Sequence, residues 1–193
     1  MSIVDPGRAE IALFVAYGRI FARRSYRRFV DSLRLRGDET VMEFGSGPGV
    51  MAKLIADRLA PRGGTLACVD ISQKWIEVAK KNLRGYSNAS FLLGDIRSLP
   101  VPDSSFDVIA VHLVLHDVNP QMRPGAVAAL ARVLRQDGRI VIEDPARTSH
   151  SMPVSEIRRL FAEAGMNEVD SWRTWSLFHA EYRKGSRPQM TSR

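Results

Sequence analysis

Nine residues, Val41-Met42-Glu43-Phe44-Gly45-Ser46-Gly47-Pro48-Gly49, constrain this chain more than any other stretch. Val41, Met42 and Phe44 read as a short buried strand. Gly45, Gly47 and Gly49 lack Cβ, so the backbone can turn sharply there and come close to a ligand. Met51, Leu54, Ile55 and Leu59 then recur at helical spacing. Strand, glycine turn and helix in that order begin a nucleotide-type βαβ unit. A second strand over 65–69 ends in Asp70, 21 positions after Gly49, where a ribose-binding carboxylate is expected.

The glycine pattern is G-x-G-x-G, with Glu43 just before it. A carboxylate at that turn would repel a pyrophosphate at the helix N-terminus, where anions normally bind. It suits a ligand with an ammonium group, a ribose and no phosphate, such as S-adenosylmethionine. At these residues the chain resembles the class I S-adenosylmethionine-dependent methyltransferases, whose first motif is an acid, one spacer and G-x-G-x-G. The resemblance runs from about residue 40 to 184. Val69-Asp70-Ile71 is similar to the family's second motif, whose acid holds both ribose hydroxyls. Gly94-Asp95-Ile96 is similar to its adenine motif, with Asp95 near the exocyclic amine and Ile96 against the ring. Residues 102–111 and 134–142 resemble the segments entering the fourth and fifth strands. Within the family, the chain is most similar to the small-molecule group that includes quinone-biosynthesis C-methyltransferases. The resemblance implies a cofactor site at Glu43, Gly45, Ser46, Gly47, Gly49, Asp70, Ile71, Asp95, Ile96 and His112, with S-adenosylhomocysteine as product.

The spacing of the remaining elements predicts strands over 89–93, 106–111 and 139–143. It predicts helices over 49–59, after Ser72, over 126–134 and from Pro153, with Gly165 as a stop. Asp137-Gly138 reads as a turn, and 99–105, with two prolines, as a loop. Residues 169–175 and 177–182 read as an antiparallel pair. Near-continuous apolar strands alternating with helices mean a parallel sheet covered on both faces. The expected fold is therefore α/β, Rossmann-like and doubly wound. Its seven-stranded sheet is mostly parallel, with an antiparallel last strand.

At 193 residues the chain suffices for one such domain. Its one cysteine, Cys68, excludes a disulfide scaffold or zinc finger and reads as core. No metal site is expected. Residues 11–22 are apolar except for Arg19, but too few to span a bilayer, and Asp5 and Glu10 before them argue against a signal peptide. A cytoplasmic protein is the default.

The net charge of +7 sits at the ends. Residues 1–37 hold eight arginines against three acids, and residues 183–193 hold four basic residues and no acid. Basic ends open a nucleic-acid reading; solvated faces are the plainer one. In the first segment Tyr26, Phe29, Val30 and Leu33 form one helical stripe, with Arg23, Arg24, Arg27, Arg28 and Arg34 on the other face. Residues 1–37 are therefore expected to form a helical lid, 38–184 the cofactor domain and 185–193 a disordered basic tail.

Ligands of open α/β sheets bind beyond the carboxyl ends of the strands. Glu43, Asp70, Asp95 and His112 all fall at such ends. His112 and His116 follow the fourth strand, and either could be a general base or a packed histidine. There is no Asn/Asp-Pro-Pro-aromatic motif after that strand, no Pro-Cys nucleophile and no three-cysteine set. The reading is a methyltransferase acting on a small-molecule acceptor. An RNA methyltransferase, a non-catalytic cofactor-binding protein and a nicotinamide-dependent oxidoreductase are the alternatives; Glu43 and the glycine spacing disfavour the last.

Overall fold

The computed structural model describes residue 7 and residues 23–146 and 151–185. The expected lid over 1–37 is thus described only from Arg23 onward, apart from Gly7, and most of the expected tail lies outside the described residues.

The described chain begins with helix α1 (Arg23–Ser32), followed by β1 (Thr40–Phe44), α2 (Val50–Leu59), β2 (Thr65–Asp70) and α3 (Gln73–Asn82). Then come β3 (Ala89–Leu93), β4 (Phe106–His112), α4 (Arg123–Val133), β5 (Leu134–Pro145), α5 (Val154–Glu163), β6 (Met166–Arg173) and β7 (Leu177–Lys184). The seven strands form one sheet in the order β3-β2-β1-β4-β5-β7-β6. Strands β1 to β5 are parallel, and β7 runs antiparallel between β5 and β6. This is the expected fold, with the last strand inserted rather than closing the edge.

Alternation along the central strands sends side chains to two cores. Met42, Ile109, Val111, Ile140 and Ile142 meet α4 and α5 through Val127, Leu130, Ile157 and Phe161. Val41, Cys68, Val108, Ala110 and Val141 meet α1, α2 and α3 through Phe29, Val30, Leu33, Ile55 and Ala79. Each fully buried large side chain contributes about 1.5–3 kcal/mol, so both faces must be covered for the sheet to hold.

The expected stripe on α1 is the one that docks: Phe29, Val30 and Leu33 are buried, while Arg23, Arg24, Arg27, Arg28 and Arg34 are exposed. Arg139 clamps the helix end by donating to the Leu33 carbonyl at 2.5 Å, and Arg34 pairs with Glu181.

Three expected boundaries moved. Asp137-Gly138 does not end a segment, because β5 continues through it from Leu134 to Pro145. Against β4 the register passes from Phe106↔Leu134 to Val108↔Arg139, so the extra residues bulge out. A Cβ on Gly138 would lie 2.8 Å from the Asp107 carbonyl, which is why a glycine sits there. Helix α4 starts at Arg123 rather than 126, with Pro124 in its first turn. Helix α5 starts at Val154; Pro153 precedes it, because its ψ of 134° is extended and not helical.

Candidate active site

Strand order reverses between β1 and β4, where an open α/β sheet leaves a crevice at its carboxyl end. A cavity of 620 Å³ lies there. Most of the expected site residues converge on it: Glu43, Gly45, Ser46, Gly47, Asp70, Ile71, Asp95, Ile96 and His112 all line it. Gly49 and His116 do not.

The glycine turn is held by its own backbone and by Asp70. The Gly45 and Ser46 N–H groups donate to the Val69 carbonyl at 2.8 and 3.0 Å. The Asp70 carboxylate accepts from the Gly47 N–H at 2.8 Å and the Ser72 N–H at 2.9 Å. Gly45 has φ 75°, and a Cβ there would lie 2.2 Å from a Val114 methyl. Gly49, also at φ 75°, is the residue before α2, and its missing Cβ lets Leu83 and Ala79 of the next unit pack close. Its role is in the fold, one step away from the cavity.

Glu43 is the unusual group. It is 2% exposed, and its Oε2 has no hydrogen-bond partner. Burial pushes its carboxyl well above the ordinary range, and the Asp70 charge adds to this. Burial raises Asp70 too, against the backbone N–H groups that favour its charged form. The Ser46 Oγ nearby is also buried without a partner. A buried acceptor left open beside a second carboxylate is a costly arrangement for a fold. A cation that donates hydrogen bonds would relieve it, and the ammonium of an amino-acid moiety has that chemistry.

At the other end of the cavity Asp95 is gripped by Arg97, whose Nε lies 3.0 and 2.9 Å from the two carboxylate oxygens. Arg97 holds its carboxyl below the usual range. Ile96 is buried and Ile71 exposed, so Ile71 offers an apolar surface to whatever lies on it. These residues fit an adenosine with a free amino-acid end, and nothing among them selects a phosphate.

The two histidines part company. His112 lines the cavity, with its ring against Phe29 at 4.6 Å and Tyr26 at 5.3 Å between centroids. Its Nε2 lies 3.4 Å from Glu143 Oε1. His116 turns to the other face of the sheet, where its Nδ1 lies 2.9 Å from the fully buried Asp144. Burial alone would lower the His116 pKa, but Asp144 outweighs it and raises it. The Arg123 guanidinium donates to the His116 carbonyl at 2.8 Å and pairs with Glu156 at 2.9 Å. His116 thus pins the loop after β4 to β5.

Glu143 and His179 went unnoticed in the sequence. Glu143 ends the apolar run of β5, so the strand-end rule could have found it. His179 lies mid-strand in β7 and is brought there by an antiparallel pairing that no local pattern announces.

A sequence profile described as a methyltransferase domain matches residues 42–142. The chain is 32% identical over 117 residues to the uncharacterized methyltransferase YcgJ of Bacillus subtilis, covering 60% of this chain and 44% of the relative. It is 29% identical over 123 residues to the ubiquinone/menaquinone biosynthesis C-methyltransferase UbiE of Hahella chejuensis, covering 62% and 48%. The chain thus spans about half the length, or less, of the curated relatives it matches. Among solved structures, a SAM-dependent methyltransferase from Aquifex aeolicus superposes with a TM-score of 0.75 at 15% identity, covering 92% of this chain and 98% of that one. With the profile spanning more than half of the chain and this fold, the protein belongs to the methyltransferase-domain family.

Proposed function

We propose that the chain is an S-adenosylmethionine-dependent methyltransferase whose acceptor is a small molecule. One observation carries the reading: the open, buried Glu43 carboxylate stands beside the glycine turn, in a cavity that extends to His112. Bound S-adenosylmethionine supplies a methyl group already activated by its sulfonium. The protein's part is to hold and align.

Glu43 would accept the ammonium. Asp70, with two of its roughly four lone-pair sites on Gly47 and Ser72, would offer the others to the ribose hydroxyls. Ile71 and Ile96 would flank the adenine, and Asp95 would meet its amine. The acceptor occupies the rest, against Leu113, Val114, Val118 and Met122, with Tyr26 of α1 over it. Holding acceptor and donor in line is worth up to about 7–11 kcal/mol of the barrier, so a well-shaped apolar pocket does most of what methyl transfer asks.

The test is transfer itself. The full chain is incubated with methyl-labelled S-adenosylmethionine and a cell extract depleted of its own small molecules by dialysis, then with the dialysate added back. Label entering the small-molecule fraction is the expected result. Label entering RNA, or no label entering any fraction, would overturn the proposal.

A further inference from the structure

A polar row crosses the sheet face beneath α1. His112 on β4 is opposite Glu143 on β5, Glu143 is opposite His179 on β7, and His179 is opposite Trp172 on β6. Glu143 stands between the two imidazoles, 3.4 Å from His112 Nε2 and 3.5 Å from His179 Nδ1. All three side chains are at least nine-tenths buried. None of the facing atoms, His112 Nε2, Glu143 Oε1 and His179 Nδ1, has an aligned hydrogen bond. Trp172 stacks on His179 at 4.7 Å, with Arg28 of α1 over its ring, and Phe29 covers both imidazoles. The row meets the cavity through His112.

As a stabilising device the row is poor. A buried carboxylate between two imperfectly aligned rings costs desolvation that apolar side chains of the same volume would avoid. As a proton acceptor it is well built. Contacts between a catalytic histidine and its carboxylate are often long in the free enzyme and tighten in the complex. With Nε2 turned to Glu143, a carboxylate favours the tautomer with its proton on Nε2, leaving Nδ1 with a lone pair. Burial pushes the Glu143 carboxyl up, but hydrogen bonding and charge from the two imidazoles hold it down at about 2, so Glu143 stands beside His112 as a carboxylate.

We propose that His112 is the general base of this site, that Glu143 and His179 are its positioning residues, and that the acceptor is a flat molecule bearing a phenolic or enolic hydroxyl. This rests on the methyltransferase reading above. The acceptor O–H bond breaks, its proton bonds to His112 Nδ1, and the electron pair stays on the acceptor oxygen as the nucleophile. Uptake of that proton leaves an imidazolium against the Glu143 carboxylate. An imidazole is matched to hydroxyls that ionise not far above neutral pH. Aliphatic alcohols are too weakly acidic for it, and amines attack through a lone pair before any proton is lost. The apolar wall of Leu113, Val114, Val118 and Met122 suits a planar ring. Other ionisable groups near His112 are the Tyr26 phenol on α1 and, lining the same cavity, Glu43 on β1, Asp70, Asp95, Arg97 and Asp117 in the loop after β4.

The experiment uses the full chain with S-adenosylhomocysteine bound and a chromogenic acid, 4-nitrophenol, with its dinitro and chloro-nitro analogues. Visible absorbance reports how much of the bound phenol is ionised, without turnover. Below the free probe's own midpoint, the wild type should raise the phenolate fraction by about threefold or more, the effect of a base–carboxylate pair on a bound acid. Glu143→Gln should lose that rise while keeping affinity for S-adenosylhomocysteine, His112→Gln should lose it as well, and Glu143→Asp should recover part of it. A folded Glu143→Gln that ionises the probe like the wild type would overturn the proposal. So would a wild type that binds the probes only as neutral phenols, or binds none of them. Should Glu143→Gln not fold, nitrogen spectra of labelled histidine decide: the wild-type His112, assigned among the four histidines by substitution, must carry its proton on Nε2, and a proton on Nδ1 would end the idea. Failure of the wild type to bind S-adenosylhomocysteine is a separate result, which sinks the methyltransferase reading itself.

Discussion

Asp70 both holds a turn and lines the cavity. Its carboxylate ties the Gly47 and Ser72 N–H groups, and so shapes the turn that it also faces. Asp70→Ala should leave a folded protein whose S-adenosylhomocysteine affinity drops by about 1.5–3 kcal/mol, the range for hydrogen bonds to a charged acceptor. Calorimetry with a circular-dichroism check of folding measures this, and unchanged affinity would remove Asp70 from the site. At this scale the sequence was informative wherever a polar residue ended an apolar strand: Glu43, Asp70, Asp95 and His112 all reach the cavity. It was silent on orientation. His112 and His116 are four positions apart and look alike in the sequence, yet a leucine with φ 55° at 113 and a short turn send them to opposite faces of the sheet. Gly49 stands apart from the other motif glycines: it does not line the cavity, and its missing Cβ gives room to Leu83 and Ala79.

Helix α1 covers the sheet face beside the cavity. Its buried face packs on the His112–Glu143–His179 row, while its outer face is arginine. Phe29 is 1% exposed, and Phe29→Ala should cost about 3–5 kcal/mol by removing an aromatic ring from a closed core. Urea denaturation measures this, and a loss under about 1 kcal/mol would mean that the helix is not docked as described. The arginines answer a different question. Changing exposed Arg23, Arg24 and Arg27 to glutamate together should leave S-adenosylhomocysteine affinity unaltered and stability nearly so. RNA affinity that falls steeply with salt in the parent and collapses in the triple variant would instead promote the nucleic-acid reading. The stripe that docks α1 was legible because four apolar residues at helical spacing admit one face only. The boundaries that moved were those set by long-range contacts. Nothing local distinguishes a turn at Asp137-Gly138 from a bulge held by the Asp107 carbonyl.

The molecule as a whole is a sheet whose order reverses at β1 and β4, and the reversal makes the crevice. Its parallel half was readable from strands that are apolar on both faces. The insertion of β7 between β5 and β6 was not, since two consecutive strands joined by a short turn pair with each other whichever of them meets β5. That insertion carries His179 and Glu181 into the core beneath α1, so the least legible part of the topology supplies the least expected part of the site. Among the described residues no helix is long and apolar enough to cross a membrane. Glu43 is buried with its Oε2 unpartnered, and burial shifts its carboxyl toward the protonated form. Its pKa lies well above the ordinary value of 4.5 in the folded protein, so folding favours its protonated form and ionising it costs stability as pH rises. A cationic ligand needs the carboxylate, so binding must release a proton where Glu43 is still protonated, and affinity must rise with pH across that range. The direct measurement is calorimetry of S-adenosylhomocysteine at several pH values in buffers of different ionisation enthalpy, on the wild type and on Glu43→Gln. The expected result is proton release by the wild type, and a Glu43→Gln protein that melts higher at neutral pH but binds at least about tenfold more weakly, a loss of about 1.4 kcal/mol or more. A folded Glu43→Gln that binds as the wild type does, with no proton released by either, would contradict it.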